Sequence, residues 1–374
     1  MHVKNINYKQ IVFYSILAIL AIGSFIFVNF NYSFYDRPIA KVIQTTLEDT
    51  NDIVDVHHNE DVLFTQSIEA EMKNGQKKNQ IIHLTNEYSS SGAYDQEYKA
   101  GDEVFVWINE NTVEDADLTG VIQDVKRDKT ILPIVWIFIF TLLIIGKRQG
   151  FYSIISLVVN AVLLSYALDI YVNHADFSLL IICGITVVLF TVISLLLING
   201  FNEKTYAAII ATLLGTFISF FITYAVLWLT SENGLRYESI DFLTRPYQAV
   251  FLAGLLIGSL GAVMDVAITM SSSVFELYEK NHAIENKVLK KSGMHIGRDI
   301  MGTMTNILFF AYISGSIPML LLYLKNASSL GFTLSLNLSM EIARALAGGI
   351  GIVLTIPIGL YISIFFVNRK RGKV

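Results

Sequence analysis

The sequence is short of cysteine and of charge. It has one cysteine, Cys183, in 374 residues, so no disulfide framework within the chain is possible. Charged residues make up 16% of it, against about 25% in an ordinary soluble domain. No Walker A, G-x-S-x-G or H-E-x-x-H pattern occurs, which removes the usual signatures of a phosphate loop, a serine nucleophile and a zinc protease. No cofactor is expected and no catalysis is supported. Basic and aromatic residues are not interleaved, so nucleic acid is not an expected partner. Hydropathy shows no repeat of the two-half transporter kind.

Apolar residues fill the space that charge leaves. They make up 53% of the chain, and mean hydropathy is +0.53. Several runs of about 20 apolar residues recur, a length that a bilayer requires. The fold expected is an α-helical polytopic membrane protein with about eight transmembrane helices. A small β-rich, OB-like extracytoplasmic domain is inserted after the first helix.

The first run covers residues 11–30, behind Lys4 and Lys9. It is too long for a signal-peptide core and no A-x-A-like site follows. Phe30, Tyr32, Phe34 and Tyr35 form an interfacial aromatic belt. Residues 1–32 are therefore expected to be an uncleaved anchor. Residues 33–129 form an acidic domain, with 20 Asp/Glu and 9 Lys/Arg. The rest of the chain has 12 acidic and 18 basic residues. Alternating runs at 40–46, 62–71, 80–85, 103–108 and 120–126 predict five strands, and Asn74-Gly75 predicts a hairpin turn. Five short strands in under 100 residues fit a small barrel or sandwich of the OB type.

Residues 130–374 are expected to form a seven-helix membrane core. Its spans are placed at 130–146, 151–172, 177–199, 206–229, 248–270, 299–324 and 341–366. With the N-terminus inside, the inner segments hold Lys4, Lys9, Lys147, Arg148, Lys204, Lys280, Lys287, Lys290, Lys291, Arg298, Arg369, Lys370, Arg371 and Lys373. The outer ones hold Arg236, Arg245, Lys325 and Arg344. This bias places both termini in the cytoplasm and residues 33–129 outside a plasma membrane. The cytoplasmic loop contains a capping box, Ser273 to Glu276, with apolar residues at helical spacing and Gly293 as a cap. It predicts an amphipathic helix over about 273–292 on the inner membrane surface, with Lys287, Lys290 and Lys291 toward headgroups or a partner.

Candidate chemistry lies in the sixth and seventh spans. Gly254 and Gly258 make a G-x-x-x-G pair that Gly261 extends, and small residues let helices approach closely in lipid. Asp265 lies within about two turns of Gly258. A carboxylate there needs a partner or water, so it is expected to face the bundle interior, as a proton or ion site or as a buried helix-to-helix hydrogen bond. In the seventh span Arg298 and Asp299 are expected to open the helix at the cytoplasmic face. Gly302, Thr303, Thr305 and Asn306 follow. Their polar groups suit either cation coordination or helix glue. Glu341 and Arg344 are spaced to pair along one helix face. His57-His58, among acidic residues, lacks a metal-ligand spacing.

The stretches from Gly258 to Ser273 and from Ile296 to Asn306 resemble the YibE/F-like membrane proteins, as does the order anchor, outer β-rich domain, multi-span core. The resemblance covers most of the chain and is strongest over 250–310. It implies the longer family form with its own outer domain and little about activity, a role in transport or as a transport accessory having been proposed for the family. It maps a motif onto Gly258, Gly261, Asp265, Arg298, Asp299, Gly302, Thr303 and Asn306. The function expected is a transporter or transport accessory, coupled to protons or cations through Asp265. The alternative is a non-enzymatic envelope scaffold acting through residues 33–129. Partners expected are the lipid bilayer and either an envelope protein or a small ionic substrate.

Overall fold

A computed structural model describes residues 8–92, 95–109, 118–174, 177–237 and 246–372. Lys4, Arg245 and Lys373 of the charge-bias argument, and the side chain of Lys9, lie outside the described residues. The protein is mostly helical, with several long apolar helices and one five-stranded sheet near the N-terminus. It divides into two compact units, with the boundary between Thr141 and Leu142.

The first unit holds helix α1 (Tyr8–Phe30), a 3-10 turn (Asn31–Phe34) and strands β1 (Ile39–Val54), β2 (Glu60–Met72), β3 (Ile81–Ser89), β4 (Glu103–Ile108) and β5 (Leu118–Val125). It ends in the first part of helix α2 (Asp128–Asn173). The strands close into a barrel in the order β1-β2-β3-β5-β4. All neighbours are antiparallel except β3 and β5, which are parallel. Alternation explains the core: Ala40, Val42, Ile68, Ala70, Met72, Ile82, Leu84, Val104 and Val106 point inward and are buried. Gly120 is required on β5, because a Cβ there would lie 2.5 Å from the Trp107 carbonyl oxygen and 2.9 Å from Ile82 Cδ1.

All five predicted strands are present. One strand end needs correction: β1 runs on to Val54, eight residues past its predicted end, because it pairs with β2 as far as Glu60. The hairpin expected at Asn74-Gly75 is present, β2 and β3 pairing antiparallel, with a connection that occupies residues 73–80. Asn74 is buried. Its Oδ1 accepts from the Ile39 N–H at 2.6 Å, and its Nδ2 donates to the carbonyls of Tyr32, Tyr35 and Arg37. Gly75, with φ +77°, lets the chain turn away from this lock.

A buried ionic cluster joins the barrel to both helices of this unit. Lys126 Nζ is 3.2 Å from Glu103 Oε2 and 2.9 Å from Asp128 Oδ2, and donates to the Val28 carbonyl at 3.1 Å. The Lys126 and Glu103 side chains are 1% and 2% exposed. Tyr32 donates to Glu103 at 2.6 Å, while Asn31 and Tyr35 both donate to Asp128 at 3.0 Å. Trp136 Nε1 donates to Ser24 Oγ at 2.8 Å, tying α2 to α1 below the barrel. A charge this deep persists only when paired and hydrogen-bonded.

The second unit holds the remainder of α2 and helices α3 (Leu179–Asn199), α4 (Glu203–Leu229), α5 (Tyr247–Lys280), α6 (Asn286–Ser314), α7 (Ile317–Lys325), α8 (Leu330–Asn337) and α9 (Ser339–Arg371). The 46 residues of α2 contain a non-helical residue, Lys147, at φ 48° and ψ −121°. A Cβ on Gly150 would run into the Leu142 carbonyl, so the backbone closes tightly around that break. Among the described residues six helices are long and apolar enough to cross a membrane, or seven if α6 and α7, bent by 59°, count as one span.

The amphipathic surface helix expected at 273–292 does not exist as a separate element. Residues 273–280 continue α5, residues 286–292 begin α6, and residues 281–285 turn between them. The apolar stripe has a protein partner: Val274, Tyr278 and Leu289 are buried in the cluster that contains Leu360 and Val367 of α9. Gly293 lies inside α6 rather than capping a helix, with Leu360 over it.

The ionic cluster generates a test. Burial alone would raise the Glu103 carboxyl, but hydrogen bonds from Lys129 and Tyr32 and the charge of Lys126 outweigh it and hold the group below its ordinary 4.5. Its stabilisation is therefore present above that pH and lost as pH falls through the lower folded value. Lys126→Ala is expected to lower unfolding free energy by about 3 kcal/mol. As pH falls below about 4.5, melting of the wild type should fall more steeply than that of Glu103→Gln. Parallel pH profiles would remove Glu103 from the account.

Candidate functional site

Helix α9 is the centre of the second unit, in contact with α4, α5 and α6. Its small residues allow this. A Cβ at Gly348 would meet Leu308 of α6, one at Gly351 would lie 2.9 Å from Val263 of α5, and one at Gly359 would lie 3.4 Å from Met270. Thr355 lies against Gly215 of α4. Hydroxyls seal the remaining polarity: Ser219 donates to the Ala347 carbonyl at 2.6 Å, and Ser271 and Ser363 meet at 3.0 Å. Helices in lipid associate through such close contacts and local hydrogen bonds, because apolar burial alone gives little drive there.

This arrangement decides which way Asp265 points. Val263, Val266, Ala267 and Met270 are buried. Gly254, Gly258, Gly261 and Asp265 lie on the exposed side of α5. The expectation that Asp265 faces the bundle interior is therefore wrong: α9 takes the valine face, and the carboxylate is directed away from it. Asp265 makes no hydrogen bond or ion pair among the described residues.

On α6, Gly302, Thr303 and Asn306 are exposed as well, along with Arg298 and Asp299. The antiparallel register is fixed by two contacts. A Cβ at Gly297 would lie 3.2 Å from Met270 Sδ, and the Tyr312 hydroxyl covers Gly258. Asp265 lies between these contacts along α5, and residues 302–306 lie between them along α6. The structure thus brings Asp265 to the depth of Gly302, Thr303 and Asn306, although Asp265 and Asn306 do not hydrogen-bond to each other.

Thr305 separates from this group. It back-bonds to the Met301 carbonyl at 2.9 Å and faces α9, where it lines an apolar groove with Phe309, Leu346 and Ile350. Arg298 and Asp299 do not open α6, which starts at Asn286. Asp299 is 3.1 Å from His295, one turn earlier, rather than paired with Arg298. Glu341 and Arg344 do pair, at 2.7 Å and half-buried, and Arg344 lies over the Phe251 ring. His57 and His58 sit in the turn after β1, where the Asp55 carboxylate accepts from the His57 backbone. Among the described residues no group of three His, Cys, Asp or Glu could hold a metal.

Tyr312 was missed by sequence reasoning. Its hydroxyl is buried without a hydrogen-bond partner among the described residues, as is Arg344 Nε, which points toward Gly254. Both carry unused polar capacity beside the glycine face. No spacing rule marks an isolated tyrosine in an apolar span. The hydroxyl and glycine seam of α4, at Ala208, Thr212, Gly215, Ser219 and Thr223, was missed too, and its four- and three-residue spacing was readable.

The segment that carries this face falls within a family. The YibE/F-like protein family matches residues 134–369. The chain belongs to the YibE/F family. Residues 33–125, which contain the barrel, match the YibE/F family N-terminal domain. No curated protein and no solved structure matches the chain. In this YibE/F protein the residues that carried the resemblance include Gly258, Gly261, Asp265, Gly302, Thr303 and Asn306, which share the exposed sides of α5 and α6.

The two kinds of glycine are separable by experiment. Gly297→Ala pushes a methyl against Ile356 and Met270 and is expected to cost about 1–3 kcal/mol. Gly261 and Gly302 have nothing within 4 Å of a built Cβ. Gly261→Ala and Gly302→Ala should leave thermal stability unchanged or raise it by up to about 1 kcal/mol. Equal loss in all three variants would mean that the glycine face is packed against protein.

Proposed function

We propose that this YibE/F protein is a multi-span membrane transporter or transport accessory, with Asp265 as its binding or coupling carboxylate. The observation that carries the reading is the exposed, unpartnered Asp265, near the middle of an apolar helix and level with Thr303 and Asn306. An ionised carboxylate in hydrocarbon costs several kcal/mol unless a cation, a proton, water or a partner chain meets it. A residue serving as structural glue would be bonded to a neighbouring helix, and Asp265 has no such bond among the described residues.

In the same reading α2 contributes two spans on either side of Lys147, which gives eight spans with both termini in the cytoplasm of a plasma-membrane protein. The barrel, OB-like in its strand order and its parallel β3–β5 pair, then lies outside. Its acidic surface favours cationic species near the membrane. The second reading, an envelope scaffold acting through the barrel, draws support from the Lys126 cluster, which fixes the barrel to α1 and α2 as a mechanical anchorage needs.

Asp265→Asn separates the two. In a strain lacking the native gene, the variant is expected at normal membrane abundance and thermal stability, without complementation of the deletion phenotype. Full complementation by Asp265→Asn would remove the coupling role and leave the scaffold.

A further inference from the structure

The first unit carries a second polar feature that the transport reading does not use. A cleft runs along the C-terminal end of α1, with one wall formed by Ile22, Phe25 and Ile26 and the opposite rim by Lys41, Lys73 and Lys129. The lysines are half-buried. Two of them are held in place from behind: Lys73 Nζ is 2.6 Å from Glu71, and Lys129 Nζ is 2.5 Å from Glu103. Each ammonium has three donors, so such a pair leaves donors over. Lys41 makes no ion pair among the described residues, although Glu71 and Glu103 face it across the β1–β2 and β1–β4 registers.

The charge distribution makes this cleft unusual for its domain. Residues 33–129 contain 20 acidic and 9 basic residues. Four of those basic residues, Lys41, Lys73, Lys126 and Lys129, gather beside the end of α1 with the carboxylates Glu71, Glu103 and Asp128. The set is one positive charge in excess. A phosphodiester carries one negative charge, and the apolar α1 residues that line the same cleft offer a path for an acyl chain. α1 is one of the helices apolar enough to cross a membrane, so its end lies where headgroups meet hydrocarbon.

We infer that this cleft binds an anionic glycerophospholipid, with Lys41, Lys73 and Lys129 at the phosphate and Ile22, Phe25 and Ile26 along the acyl chain. The inference rests on α1 lying in a bilayer and is independent of Asp265. Bound lipid would join the barrel base to the membrane surface through the same cluster that orders Lys129.

Native mass spectrometry of the full chain tests it, with equal amounts of phosphatidylglycerol and phosphatidylcholine of identical acyl chains. The wild type is expected to retain phosphatidylglycerol over phosphatidylcholine. Lys41→Ala should reduce that preference about fivefold, since a lysine near a headgroup contributes about a factor of that size. Lys41→Arg should preserve it, and so should Lys99→Ala, which lies away from the cleft. Equal retention of the two lipids by the wild type overturns the proposal, even if Lys41→Ala fails to fold. An equal loss in Lys99→Ala also overturns it, as a diffuse surface effect. Displacement of phosphatidylglycerol by millimolar glycerol 3-phosphate would make the site one for soluble phosphate esters and overturn the lipid assignment.

Discussion

Close backbone contact around α9 is the constraint on which the membrane part of this protein depends. Without apolar burial as a drive, helices in lipid are held by van der Waals contact and by hydrogen bonds formed at short range. Gly348, Gly351, Gly359 and Thr355 on α9 meet α4, α5 and α6 at such distances. The small residues on those inner faces are committed to packing. Gly261 of α5, on the other side, is not, and that asymmetry sets apart the face carrying Asp265.

The first unit solves a different problem with different means. A barrel of this size has a modest core, and its joint to two apolar helices must survive at a polar boundary. The Lys126–Glu103–Asp128 cluster, the Asn74 lock on the linker carbonyls, and the Trp136–Ser24 bond together fix α1, the barrel and the start of α2. Among the described residues the same lysine-rich base leaves Lys41 without an ion pair, and the proposed lipid site is argued from that.

Much of the architecture was legible because period and length carry it. Alternation marked all five strands, and long apolar runs marked the helices. What escaped depends on residues far apart in sequence. Glu103, Lys126 and Asn31 meet only when the barrel closes, so no local pattern announces them. The surface helix at 273–292 was misread because its apolar stripe is genuine but faces α9; a sequence gives the stripe and not the partner. The direction of Asp265 failed for the same reason. Its neighbours Val263, Val266 and Ala267 are as apolar as a lipid-facing surface, and only the position of α9 shows which side is inside. Gly302, Thr303 and Asn306 are exposed on α6, while Thr305, at the same level, lines a groove against α9.

A coupling role for Asp265 requires that water reach the exposed sides of α5 and α6, which a lipid-facing or packed surface would not allow. Cysteine accessibility in intact membranes tests it directly. Cys183, buried at 2% exposure, is first replaced by serine, and single cysteines are placed at Gly261, Thr303 and the buried Ala267. A cationic, membrane-impermeant thiol reagent should modify Gly261→Cys and Thr303→Cys, more slowly when Asp265 is replaced by asparagine, and leave Ala267→Cys untouched. If Gly261→Cys and Thr303→Cys are as inert as Ala267→Cys, no water reaches that face and the account is contradicted.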